Sequence, residues 1–183
     1  MYKKTSFIFS LGFFLIGLGF YLYSSQKSLT HQSQNIVPTS NPVLGVQTKT
    51  ANCIIQNAMP DPDCTPGAVF PDVTKDQICT SGYSSSVRDV SVATKQQVYA
   101  EYGLTYPQAR GAYEVDHFIS LELGGSNDIS NLWPEAANPK PGFHEKDMVE
   151  NYLHEEVCNG NVSLQEAQKE ISTNWLGVYN KIK

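Results

Sequence analysis

An acid and an imidazole stand side by side at Asp116-His117, closing the run Tyr113-Glu114-Val115. Gly124-Gly125 follows, then Asn131-Leu132-Trp133, then His144-Glu145-Lys146-Asp147. These residue types suit one divalent cation and one general base. A carboxylate is the oxygen ligand that a hard cation such as Mg²⁺ prefers. An imidazole with an ordinary pKa of about 6.5 can take a proton from water at neutral pH. A cation that polarises a phosphoryl oxygen, together with a base that activates water, is the minimum equipment for hydrolysing a phosphodiester. Taken singly, each motif has a plain structural reading: a hydrogen-bonded surface pair, a glycine turn, a strand edge with one aromatic entering the core. Their order and spacing favour chemistry.

The elements that must position them can be read from the pattern around them. Tyr113 to Ile119 is mostly β-branched or aromatic and predicts a strand. Gly124 to Asp128 is turn material, and Asn131 to Trp133 a short returning strand. Pro139 and Pro141 break the chain before a helix from His144 to Cys158, with an apolar stripe at Met148, Val149, Tyr152, Leu153 and Val157. Asn159-Gly160 ends it. Ser91 caps a helix over Val92 to Tyr102, which Gly103 stops. Ser163-Leu164-Gln165-Glu166 is a capping box, and Leu164, Ala167, Ile171, Trp175 and Val178 then share one helix face. The expected class is α+β, with a hairpin-plus-helix core over 113–158 surrounded by further helices in a domain over 61–183.

The first 26 residues read differently. Lys3 and Lys4 precede an uncharged apolar run from Phe7 to Tyr23, the pattern of an export signal. As a helix that run would be roughly 25 Å long, slightly short of a bilayer core. Tyr23-Ser24-Ser25 is a weak cleavage site, so residues 1–26 are a signal peptide or an N-terminal membrane anchor. Residues 27–60, rich in Gln, Ser, Thr, Asn and Pro, read as a flexible polar tether. The domain is therefore expected outside the cytoplasm: periplasmic, extracellular, or anchored in the plasma or inner membrane through residues 7–23.

Export makes disulfides the expected fate of Cys53, Cys64, Cys79 and Cys158. No two form a Cys-x-x-Cys pair, which argues against a zinc knuckle. Of three possible pairings, Cys53–Cys64 as a local clasp and Cys79–Cys158 as a long tie are favoured. Charge bounds the partners. The chain has 13 Lys/Arg and 18 Asp/Glu; without Lys3 and Lys4 it has 11 against 18, a balance of −7. That composition counts against tight, sequence-independent nucleic-acid binding through a basic face. It permits hydrolysis, because a bound cation can meet the phosphate.

Val115-Asp116-His117, Gly124-Gly125, Asn131-Leu132 and a later Asn138 or His144 together resemble the HNH, or ββα-metal, nuclease family. More narrowly, Tyr113-Glu114-Val115-Asp116-His117, Gly124-Gly125-Ser126-Asn127-Asp128, Asn131-Leu132-Trp133-Pro134-Glu135 and Lys146-Asp147 look like an exported bacterial subgroup. The resemblance extends over roughly residues 64–179. It implies a metal-dependent endonuclease cutting DNA or RNA. His117 would be the base, and Asn131 would hold the loop that aims it. Asp116 would be a metal ligand, with His144 preferred over Asn138 as the last one. The cofactor would be a single Mg²⁺, with Mn²⁺ or Zn²⁺ as alternatives, and the partner a nucleic acid. No protein partner is implied, and the chain is expected to be a monomer.

Two other readings belong beside it. One is a membrane-tethered, non-catalytic metal-binding or interaction module on an HNH-like fold. The other is a zinc hydrolase acting on a different phosphoester or an envelope polymer. Arg88 and Arg110 could meet phosphates, although isolated arginines more often form surface pairs. His154, on the same helix as His144, points about 80° away around the axis and reads as structural. His31 falls in the tether with no role assigned.

Overall fold

The computed structural model describes residues 44–183; the expected signal or anchor, residues 1–26, and the first part of the tether lie outside the described residues. Among the described residues, no helix is long and apolar enough to cross a membrane. The architecture of the described residues is mixed: five α-helices and a small antiparallel sheet of two strands, an α+β arrangement.

Strand β1, Tyr113–His117, pairs with β2, Leu132–Ala136, in a register that sets His117 opposite Leu132 and Asp116 opposite Trp133. The β1 strand ends two residues before the expected Ile119, and β2 runs three residues past Trp133. Between them, 3₁₀ turns at Leu121–Leu123 and Ile129–Asn131 flank the glycine pair. Glycine is required there. Gly124 sits at φ +77°, and a Cβ on Gly125 would lie 1.7 Å from the Ile119 carbonyl oxygen.

Three longer helices surround the hairpin: α3, Val92–Glu101, α4, Phe143–Asn159, and α5, Leu164–Ile182. Ser91 caps α3, accepting from the Thr94 amide at 3.0 Å. The Ser163–Glu166 capping box starts α5. Ser172 and Thr173 bond back to carbonyls of the preceding turn, and α5 bends at the next residue, Asn174. Two short helices that the pattern did not announce, α1 (Lys75–Ile78) and α2 (Tyr83–Val87), flank Cys79 ahead of the hairpin.

The larger core joins Val149, Leu153 and Val157 of α4 to Leu164, Ala167, Ile171, Trp175 and Val178 of α5, with Ile119 and Leu123 from the turn region. The α4 stripe is narrower than expected, because Met148 is 47% and Tyr152 39% exposed. Residues 149, 153 and 157 recur every four residues, and that spacing alone makes the buried ridge. A smaller core gathers the Cys53–Cys64 disulfide with Tyr102, Phe118 and Trp133.

The tether also ends earlier than the composition indicated. Gly45 and Thr48 donate backbone bonds to Gly67 and Asp63, and the Ala58 carbonyl accepts from the Trp175 indole at 3.0 Å. Polar composition conceals this docking because it uses backbone groups and one disulfide instead of an apolar stripe.

Both expected disulfides are closed, Cys53–Cys64 and Cys79–Cys158. The second spans 79 residues and ties α1 to α4. Chain-entropy reasoning gives such a loop about 4 kcal/mol of stabilisation. A Cys79→Ser/Cys158→Ser variant is therefore expected to lose about that much in urea unfolding. A loss below about 1 kcal/mol would show that the unfolded chain is little freed by cutting the tie.

Candidate active site

Asp116 and His117 occupy the last two positions of β1 and line a cavity of about 250 Å³ with Ser84, Arg88, Ser120, Leu121, Glu122, Asp147, Glu150 and Asn151. Four carboxylates thus share the space with one arginine. The hairpin supplies Asp116 and His117, α4 supplies Asp147, Glu150 and Asn151, and α2 with the residue after it supplies Ser84 and Arg88.

His117 is buried, 2% exposed. Its Nε2 lies 3.0 Å from the Asn127 side-chain oxygen, while Nδ1 is buried with no hydrogen-bond partner. Asn127 is fixed from behind. Its amide nitrogen donates to the Val87 carbonyl at 2.7 Å, and its oxygen also accepts from the Asp89 amide at 3.2 Å. A carbonyl only accepts, so the Val87 bond fixes which end of Asn127 is oxygen. An oxygen facing Nε2 places the imidazole proton there. The free lone pair is then on Nδ1. Burial lowers the His117 pKa despite the opposing pull of Asn127 and Asp116, so the neutral imidazole dominates at pH 7.

Asn131 is fully buried and uses its whole amide. Its oxygen accepts from Ala68 (3.3 Å) and Ile119 (2.9 Å), and its nitrogen donates to Ile119 and Ser126, both at 2.9 Å. It thereby knits both ends of the loop after His117 to the segment before α1. Asn131→Ala would leave four buried backbone groups unpaired and is expected to destabilise the fold by about 3 kcal/mol or more, measured by thermal or urea unfolding.

Lys146 was read only as part of a motif, yet it lies at the centre of the site with no exposed side-chain surface. Its ammonium donates to Asp116 Oδ2 (2.9 Å), to the His117 carbonyl (2.8 Å) and to Glu150, with Glu135 Oε2 at 3.8 Å. Burial alone would favour the neutral amine, but Asp116, Glu150 and Glu135 hold the ammonium charged well above the usual lysine range. Burial would likewise raise Asp116, and Lys146 beside it brings it below the ordinary value. The remaining acids go the other way. Burial pushes Glu135 up to about 9 and Glu150 up to about 8, with Asp116 adding repulsion to both. Burial and Asp116 also raise Asp147. Both Glu135 oxygens are buried without a hydrogen-bond partner.

The structure places Asp116 and His117 on the cavity wall, sets Asn131 outside the cavity as the brace of the loop after His117, and leaves the two other expected ligands outside as well. His144 has a side chain 69% exposed, its Nδ1 4.0 Å from Asp147, and it does not line the cavity. Asn138 is exposed in the loop past β2 and does not line it either. The helix explains the difference for His144, because Asp147 lies one turn further along α4 and reaches the space instead. Asp147, Glu150 and Asn127 were all missed. The first two sit one and two turns after His144, a spacing that could have marked them.

Asp116, Glu150 and Asp147 bring hard oxygen donors to this cavity, but their ligand atoms do not converge as placed; among the described residues only Cys79, His154 and Cys158 do so within 4.8 Å. Asp116, Glu135 and Glu150 surround a single ammonium, Asp147 adds a further acid, and Arg88 is the other cation at the cavity wall. Hard oxygen donors in excess of their counter-charge are what Mg²⁺ takes.

A separate group lies across the α1–α4 tie. Ligand atoms of Cys79, His154 and Cys158 all fall within 4.8 Å of one another, and such a group could bind a metal ion. His154 Nε2 is 3.1 Å from the Ile78 carbonyl oxygen and 3.5 Å from Cys158 Sγ. The sequence signal was available in the four-residue spacing of His154 and Cys158 on one helix. The distance from Cys79 hid it.

No model of a known protein family, no curated protein and no solved structure matches the chain significantly.

Proposed function

We propose that this chain is a metal-dependent HNH-type endonuclease that hydrolyses phosphodiesters in DNA or RNA. The observation that carries the reading is the buried, unpartnered Nδ1 of His117 beside Asp116 in a cavity rich in oxygen ligands. In this reading, His117 Nδ1 takes the proton of the attacking water. Asn127 keeps Nε2–H engaged so that the imidazole stays oriented and becomes a stabilised cation as it accepts that proton. Arg88, on the cavity wall, meets a phosphate oxygen. Asp116, Glu150 and Asp147 would bind Mg²⁺, which when bound supplies the positive charge that polarises the scissile phosphate. Four carboxylates in one cavity would repel a phosphodiester without such a charge, so the activity is expected to require added metal. The two disulfides are compatible with a periplasmic or extracellular setting.

A plasmid-nicking assay with Mg²⁺, Mn²⁺ or Zn²⁺, each against a chelator control, tests the proposal. Metal-dependent conversion of supercoiled to open-circular DNA is the expected result. A folded protein that cuts neither DNA nor RNA with any of the three metals would overturn it. One observation favours a second reading, a non-catalytic binding module: Lys146 already occupies Asp116 Oδ2 as a built-in cation. That reading predicts metal binding or partner binding with no cleavage.

A further inference from the structure

We infer that Cys79, His154 and Cys158 form a redox-gated zinc site, distinct from the carboxylate cavity and independent of the function proposed for it. Cys79 caps the C-terminus of α1, and His154 and Cys158 stand one turn apart on α4, so the three side chains converge from two elements. Two thiolates and one imidazole are the donor set that borderline-soft Zn²⁺ selects over Mg²⁺ or Ca²⁺. In the closed disulfide both sulfurs are bonded to each other and neither is a thiolate, so bridge and metal exclude one another.

Opening the bridge requires a reductant of the dithiol class. Two electrons pass from the dithiol to the Cys79–Cys158 bond; the protein gains two thiols and the dithiol becomes a cyclic disulfide. Zn²⁺ then displaces the two thiol protons and takes the imidazole lone pair, with water as the fourth ligand. Where Nε2 is the ligand atom, the proton it shares with the Ile78 carbonyl moves to Nδ1. The backbone need not travel far. The two Cα atoms are 5.7 Å apart, and sulfurs on one tetrahedral zinc lie about 3.8 Å from each other, a separation side-chain rotation can supply. An oxidant of the disulfide class reverses the step: it takes the two electrons and is reduced to two thiols, the Cys79–Cys158 bond re-forms by exchange, and the ion is released. The tie between α1 and α4 thus persists in both states, covalent in one and metallic in the other.

Cobalt spectroscopy on the full-length chain tests this. The protein is reduced anaerobically with a dithiol, freed of reductant and titrated with Co²⁺, with circular dichroism followed in parallel. The expected result is a thiolate-to-cobalt absorption band saturating at one ion per chain, bleached by Zn²⁺ and absent from the oxidised protein. Cys79→Ser/Cys158→Ser should abolish the band, and His154→Ala should weaken binding at least about tenfold. Zn²⁺ should also raise the Tm of the reduced wild type and leave that of the oxidised protein unchanged. Three outcomes would overturn the inference. The first is a band that survives in the double cysteine variant, which would place the metal on Cys53 and Cys64. The second is binding unaffected by His154→Ala. The third is a reduced chain without a band, whether it keeps its helices or loses them. None of these readouts involves nuclease activity, so a failed cleavage assay and a failed metal titration are separate results.

Discussion

His117→Ala is expected to lower the kcat of phosphodiester cleavage by about 10²–10⁴-fold, the usual contribution of a positioned general base. KM should change little, because in the proposed reading the substrate is held by the bound cation and Arg88 and not by the imidazole. The loss should be chemical and not a failure to fold. Nδ1 has no partner to lose, and removal of Nε2 deprives Asn127 of one bond, worth about 1 kcal/mol, while its bonds to Val87 and Asp89 remain. The pH profile supplies a second check. The base works only when neutral, and burial lowers its pKa. The acid limb of kcat should therefore fall below the ordinary histidine value of about 6.5. A variant that nicks plasmid as fast as wild type, at the same metal concentration and with the same unfolding midpoint, would remove His117 from the mechanism.

The hairpin, the three long helices and the Cys53–Cys64 clasp were legible because each depends on local signals, whereas the Cys79–Cys158 tie, 79 residues long, followed from the export reading and the even number of cysteines. β-Branched and aromatic residues marked β1, Gly124-Gly125 marked the turn, and Ser91 and Ser163 marked two helix starts. Trp175 and its partners declared one face of α5 through spacing alone. The centre of the site was not legible, for a physical reason. Lysine is almost never fully buried unless paired, so a charged heptapeptide gives no sign that Lys146 is more than part of the Lys146-Asp147 motif. Its burial depends on Asp116 and Glu135 arriving from two strands, which no local window contains. Glu135 shows the same limit. The short returning strand is read only over Asn131-Leu132-Trp133 and stops before Glu135, which lies within β2 and is buried to 1% exposure. His144 and Asn138 were drawn in by the family resemblance, and a rotation of one helical turn decides between His144 and Asp147. The docking of residues 44–60 was hidden because backbone pairing leaves no mark in composition.

Lys146→Met is expected to produce a large loss of stability, and one that depends on pH. Methionine fills much of the same space, so what is lost is the charge. At pH 8 the variant would leave Asp116, Glu135 and Glu150 without their counter-ion, and breaking a buried pair by removing one partner costs about 3–5 kcal/mol. At pH 5 the acids can take up protons, so the loss should be smaller. The sign follows from the wild type. Glu135 is raised from 4.5 to about 9 and Glu150 from 4.5 to about 8, so the folded chain binds more protons than the unfolded chain between those limits. Stability therefore falls as pH rises through that window. Glu135→Gln removes one of the two sources. Measured with a chelator present, it should flatten the pH dependence and raise Tm at pH 8 by about 3–6 °C, with no gain near pH 4. Urea midpoints for wild type, Lys146→Met and Glu135→Gln at pH 5 and pH 8 decide the matter. An equal loss at both pH values in Lys146→Met would mean that the lysine stem, and not its ammonium, is what the site needs. Excess Mg²⁺ provides the final contrast. If the surplus carboxylates are ligands, the ion should restore part of the stability that Lys146→Met loses at pH 8, because a divalent cation can then occupy the space the ammonium has left.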